Sequence, residues 1–180
     1  MKTLLATAAA LALGASAAIA NPTVGGAPML DTRNIIENAV NSPVHTTLVA
    51  AVQAAGLVDA LQGEGPFTVL APTDEAFAML PEGTVEDLLK PENRELLTQI
   101  LTCHVIPTRA LSGDISGMIA ADGGSHVFTT LGGCEFTASA QDGVITIEGG
   151  QGTMAHVTTA DVIQSNGVIH VIDHVLLPAM

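Results

Sequence analysis

The sequence contains no tryptophan and no tyrosine, and only four phenylalanines in 180 residues. A protein that stacks bases, or lies flat against a pyranose face, has almost nothing here to do it with. Positive charge is nearly as scarce. Five Lys and Arg stand against 18 Asp and Glu, a formal net charge of −13. Such a chain repels phosphate backbones, whose binding depends on Lys and Arg releasing condensed counterions. It also lacks the basic patch that an anionic membrane surface attracts. Nucleic-acid binding is excluded. Catalytic signatures are missing too: there is no HExxH helix and no phosphate-cradling P-loop. Gly124 precedes Ser125, but His126 and Val127 follow with no second glycine, so there is no G-x-S-x-G elbow.

What is present begins with an address. Met1-Lys2 is a short positive start, Leu4 to Ala18 is nearly unbroken apolar chain, and Ala18-Ile19-Ala20 offers small residues where a signal peptidase reads them. Residues 1–20 therefore read as a secretory signal cleaved after Ala20. The stretch is too short and Ala-rich for a membrane anchor, which needs about 20 apolar residues, and Asn21-Pro22 follows at once. The first cysteine is Cys103, so no acceptor for a lipid anchor lies near the signal, and no later segment is long enough to span a bilayer. The expected product is periplasmic or secreted, with 4 Lys/Arg against 18 Asp/Glu once Lys2 is gone. Its 160 residues suit one domain, able to bury roughly two-thirds of the surface of the unfolded chain. In an oxidising compartment the lone pair Cys103 and Cys134 is more often bridged than free, and closing that loop would remove about 3–4 kcal/mol of unfolded-state entropy. Buried thiols or a metal half-site are the alternatives, and neither has a CxxC spacing behind it.

After a Gly/Pro-rich lead, residues 21–33, helical spacing sets in. Ile35, Ile36, Ala39 and Val40 form one stripe ended by Ser42-Pro43, and Leu48, Val49, Val52 and Ala55 a second, stopped at Gly56. Leu57, Val58 and Leu61 extend the apolar face to the turn Gly63-Glu64-Gly65-Pro66. Phe67-Thr68-Val69-Leu70 reads as a buried strand, and Thr73 as the cap of a helix with Asp74 and Glu75 in its first turn. Thr84 and Asp87 resemble a capping box, and Pro91 opens a helix carrying Leu96, Leu97, Ile100 and Leu101. From Cys103 the period changes. Val105-Ile106, Val127 to Leu131, Glu135 to Ala140, Val144 to Glu148, Ala155 to Thr159 and Gly167 to Leu177 read as strands separated by Gly or Asp-Gly turns. Helices first and strands later predict an α+β class with a mainly antiparallel sheet.

Two spacings invite chemistry. His170 and His174 sit four apart, which on a helix would make a zinc-binding pair. The intervening Val171, Ile172 and Asp173 favour a strand, where four residues separate the rings by about 13 Å. Each then reads as an architectural histidine, and so does His104. Gly150-Gln151-Gly152-Thr153-Met154-Ala155 matches a dinucleotide-binding turn, but the strand-like His156-Val157-Thr158-Thr159 follows where a helix must stand. A hairpin turn is the expectation. Carboxylates are spread singly over helix starts and turns, as on a solvated surface.

Three stretches in register carry a resemblance. They are Gly65-Pro66-Phe67-Thr68-Val69-Leu70-Ala71-Pro72-Thr73-Asp74-Glu75-Ala76-Phe77, then Leu101-Thr102-Cys103-His104-Val105-Ile106-Pro107, and Asp161-Val162-Ile163-Gln164-Ser165-Asn166-Gly167-Val168-Ile169-His170-Val171-Ile172-Asp173, ending at Leu177-Pro178. In this order and spacing the chain resembles a fasciclin-type domain, the adhesion-associated module, in a bacterial secreted single-domain form. The resemblance covers about Asn34 to Pro178, so residues 34–180 are taken as the domain. It implies a compact, β-sandwich-like wedge with several helices along one edge, and a non-catalytic module for adhesion or envelope and matrix association through protein contacts, with no cofactor. Two departures matter. Cys103 stands where the family usually has Tyr, which supports a bridge to Cys134. Asp161-Val162 stands where animal relatives carry an Asp-Ile pair implicated in integrin recognition; the Val and the bacterial-type signal point away from an integrin. Asp161, Val162 and His104 are the partner-binding candidates the resemblance supplies. The alternative is a periplasmic carrier of a small ligand or metal using histidines. A hydrolase would need a Ser or acid within hydrogen-bond reach of His104 or His126.

Overall fold

The computed structural model describes residues 21–179; the secretory signal expected at residues 1–20 lies outside them. The chain opens with a short hairpin, β1 (Thr23–Val24) and β2 (Ala27–Pro28), turned by Gly25 and Gly26, both at positive φ. Glycine supplies that conformation without a Cβ penalty. Val24 and Met29 are buried in the main core, so the lead packs onto the body of the molecule.

Helices follow: α1 (Ile35–Asn41), α2 (Thr46–Ala55) and α3 (Val58–Gln62). Asn34 accepts from the Glu37 N–H while the Glu37 carboxylate accepts from the Asn34 N–H, each at 2.9 Å, a reciprocal cap that fixes where α1 begins. Gly56 ends α2 in the left-handed region at φ 73, as its position predicted. Strand β3 (Phe67–Pro72) leads to α4 (Asp74–Ala78), whose Thr73 cap accepts from the Ala76 N–H. Next come α5 (Thr84–Leu88), a 3₁₀ turn at Pro91–Asn93, α6 (Arg94–Cys103) and β4 (Val105–Ile106). Gly83, not Thr84, caps α5, and Pro91 opens the 3₁₀ turn, so α6 starts three residues later than Pro91 suggested.

The sequence reading missed α7 (Ser112–Ala121). Gly113, Gly117 and two serines give this segment poor helix propensity, yet Ile115 and Ile119, four apart, are buried beneath it. The remaining strands are β5 (Ser125–Thr129), β6 (Glu135–Gln141), β7 (Val144–Glu148), β8 (Met154–Gln164) and β9 (Gly167–Ile172). The sheet runs β4-β3-β9-β8-β7-β6-β5. Its neighbours are antiparallel except β3 and β9, which pair in parallel from Phe67–Gly167 to Pro72–Ile172.

β8 is the hinge of this architecture. Its first residues pair with β7, and from Val157 onward it pairs with β9, with register shifts between Val157, Thr159 and Val162. Bulges of this kind bend and twist a strand. The bend divides the apolar interior in two. One core lies between α1–α6 and one face of β3 and β9, the other beneath α7 against β5–β8 and Leu70, Ile106 and Ile172 of β3, β4 and β9. The class is α+β with a mixed, mainly antiparallel sheet.

Candidate interaction site

The β8 bulge brings the partner-binding candidates into view. Asp161 sits at φ 58, an uncommon conformation for a residue with a side chain. Its Oδ1 accepts from the Ser112 N–H at 2.6 Å, its Oδ2 from the Ser112 hydroxyl, and its own N–H donates to His170 Nδ1 at 3.2 Å. A carboxylate from β8 thus joins Asp114, which accepts from the Leu111 N–H at 3.0 Å, in capping α7, whose N-cap Leu111 has no accepting side chain. Val162, the next residue, is fully buried against the helical layer. It has no route to a partner in this structure.

His104 is also interior. Its Nδ1 faces the Ile100 carbonyl at 2.8 Å, and its Nε2 accepts from the Leu176 N–H at 3.0 Å. A carbonyl can only accept and an amide N–H can only donate, so the ring must be neutral with its proton on Nδ1. Burial drives its pKa down to about 4, against the opposing pull of the Ile100 carbonyl. His170 is the mirror case: Nδ1 accepts from Asp161, and Nε2–H donates to the Ala110 carbonyl at 2.8 Å. Burial lowers its pKa, and the Ala110 hydrogen bond and the Asp161 charge oppose the shift. His45 bonds Ser42 Oγ through Nδ1 at 2.8 Å, while its buried Nε2 has no well-formed hydrogen bond. Burial again lowers the pKa, offset in part by the Ala71 carbonyl and the Asp74 charge. His170 ties β9 to the segment before α7, His104 ties the end of α6 to the chain after β9, and His45 closes the α1–α2 connection.

Cys103, at the end of α6, is disulfide-bonded to Cys134 in the β5–β6 turn, with Cα atoms 5.4 Å apart. Gly132 stands against this bridge; a Cβ there would lie 2.6 Å from Thr102 Oγ1 and 3.0 Å from the Cys103 sulfur. Gly149 to Gly152 form the β7–β8 hairpin turn, closed by the Gly149 N–H donating to the Thr153 carbonyl at 2.8 Å, so the dinucleotide-like pattern is a turn between strands.

Three histidines are at the surface. His126 meets Asp122 at 2.5 Å, which supplies the acid a hydrolase would need. Among the described residues no hydroxyl bonds its other nitrogen, and the ring packs edge-on against Phe128. His156 and His174 both bond the carboxylate of Asp173, at 3.1 and 2.8 Å.

Cavities separate interior from surface. Those lined by His104 and by His45 are about 30 and 20 Å³, apolar, and sized for a water, whereas ligand sites need roughly 300–1,000 Å³. A shallow groove of about 230 Å³ lies between α7 and the β7–β8 face, floored by Ile145 and Val157 and edged by Ser112, Gly113, Ser116, Gly143 and Ala160. It borders Ser112, the residue that Asp161 holds.

A seven-stranded mixed sheet, bent at a bulge and flanked by helices, defines a class of compact α+β module. The matches to known proteins place it within that class. Residues 43–178 match the model of the fasciclin domain, and the chain belongs to that family. It is 48% identical over 147 residues to protein sll1483 of Synechocystis sp., covering 81% of this chain and 74% of that protein. It is 37% identical over 131 residues to the transforming growth factor-beta-induced protein ig-h3 of Sus scrofa, covering 73% of this chain and 17% of that one. A FAS1 domain pair from the insect cell adhesion molecule fasciclin I superposes with a TM-score of 0.71 at 19% identity, covering 84% of this chain and 52% of that chain. That likeness bears on the fold, and the chain spans about half of the domain pair.

Proposed function

We propose that this chain is an exported, non-catalytic module that adheres to a protein of the cell envelope or surrounding matrix through the groove between α7 and the β7–β8 face. The observation that carries the reading is the division of labour among its polar groups. His104 and His170 are consumed in architecture, the histidine-lined cavities are too small for a ligand, and an open groove is edged by small residues beside a locked helix. Small residues let a partner's backbone or side chain approach closely. The small histidine-lined cavities speak against a carrier that holds its ligand with His104 or His45. Asp161 serves the contact as a positioning residue, fixing α7 to β8, while Val162 and His104 act from inside the core.

The test is cosedimentation of the purified chain with isolated envelopes of the cell that produces it. Ser116 is exposed on α7 and lines the groove, so Ser116→Arg fills the groove without touching the core. The parent chain is expected in the pellet, and Ser116→Arg in the supernatant with an unchanged melting temperature. A parent chain that stays in solution, or a variant that pellets equally, overturns the reading.

A further inference from the structure

We propose that His156, Asp173 and His174 form a binding site for a divalent transition ion of the zinc type, distinct from the groove. The strand register builds it. Val157 pairs with Ile172, so the next position sets His156 beside Asp173. Two bonds continue the ladder: the Asp173 N–H donates to the His156 carbonyl at 3.2 Å, and the His156 N–H donates to Asp173 Oδ1 at 2.7 Å. His174 follows directly and turns its ring onto the same carboxylate. One nitrogen of each ring and one carboxylate oxygen then lie within 4.8 Å of one another. Zinc holds its ligands at about 2.0–2.2 Å in tetrahedral geometry, which sets donors roughly 3.4 Å apart. Small side-chain rotations bring the three to that spacing.

The donor set selects the ion. Two imidazoles and one carboxylate suit zinc, nickel and copper(II), whereas calcium and magnesium want an all-oxygen shell. The cluster is open to solvent, with His156, Asp173 and His174 side chains 49%, 32% and 37% exposed. An ion can enter and keep a position for water. The chain's large negative net charge raises the local concentration of cations. Asp173 already accepts from both rings and from the His156 backbone, so the side chains are gathered before an ion arrives; a nitrogen that takes the metal gives up its proton, to the other ring nitrogen or to water.

The test is calorimetric titration of the untagged chain with zinc chloride at neutral pH. One zinc per chain is expected, with copper(II) bound more tightly and magnesium not at all. His156→Ala and His174→Ala should each weaken zinc by at least the roughly 10- to 100-fold that loss of an outer-shell partner costs. His126→Ala should bind as the parent does. Imidazole resonances supply a readout on the unmutated chain: zinc should shift those of His156 and His174 and leave those of His104 and His170 in place. Absence of zinc uptake, unchanged binding in His156→Ala and His174→Ala, or loss of binding in His126→Ala overturns the proposal. So does a zinc-induced shift confined to other histidines.

Discussion

Asp161 carries a left-handed backbone, a helix cap and a hydrogen bond to a buried ring, all at one bulge. Asparagine tolerates the conformation and keeps one acceptor, so Asp161→Asn should be the mildest change, at about 1 kcal/mol. Alanine loses the charged hydrogen bonds and adds strain at positive φ, together about 2–4 kcal/mol. Urea denaturation of the two variants checks the order, and an alanine variant as stable as the parent refutes the capping role. His104 sets a pH dependence. Its folded pKa of about 4 lies below its ordinary 6.5, so on acidification the unfolded chain takes up the proton first. Stability from this group is therefore whole above pH 6.5 and drains away as pH falls towards 4, by about 3 kcal/mol in all. Melting temperatures measured across that window should fall steeply in the parent and less steeply in His104→Gln, which has no ring to titrate. Equal slopes would mean that other groups govern acid unfolding. At this scale the sequence was legible for His104 and His170 as architectural residues. It was silent on Asp161 as a cap, because the partner, Ser112, lies 49 residues away.

Two of the helices whose N-cap side chain makes no capping bond each borrow an aspartate from elsewhere. Asp161 serves α7, and Asp74 serves α2 by accepting from the Thr46 and Thr47 N–H groups and the Thr46 hydroxyl. Slight burial pushes the Asp74 carboxyl up, but these hydrogen bonds outweigh it and hold the carboxyl below its usual range. Elements whose signals are local were readable: β3, the Thr73 cap and the Gly56 stop each follow from neighbouring residues. Helix α7 was not, since its glycines argue against a helix while its stability comes from Ile115 and Ile119 packing on the sheet and from Asp161 across the chain. The bulges in β8 were hidden for a similar reason, since they record how β7 and β9 share one long strand. The disulfide links α6 to the β5–β6 turn and spans 31 residues. Replacing both cysteines by serine should cost about 3–4 kcal/mol, seen as a lower urea midpoint. An unchanged midpoint would show that packing alone holds this corner.

Across the whole molecule, the α+β class and most strands could be read from periodicity, but the order of strands could not. Nothing local states that Phe67 lies beside Gly167; the parallel neighbour is chosen by burial, since β9 is buried at every position and needs cover on both faces. The same uncertainty hid the cluster of His156, Asp173 and His174, whose members come from β8 and the bend just after β9 and meet only through the β8–β9 register. The β3–β9 pairing joins residues a hundred positions apart in the interior of the sheet, one strand in from the β4 edge, and both interior clusters lean on β9 through Ile169, Val171 and Ile172. During synthesis β3 emerges long before its partner, so early chain lengths have helices but no keystone. Loop closure over such a distance is slow, and the nascent polypeptide stays pliable until β9 has been made.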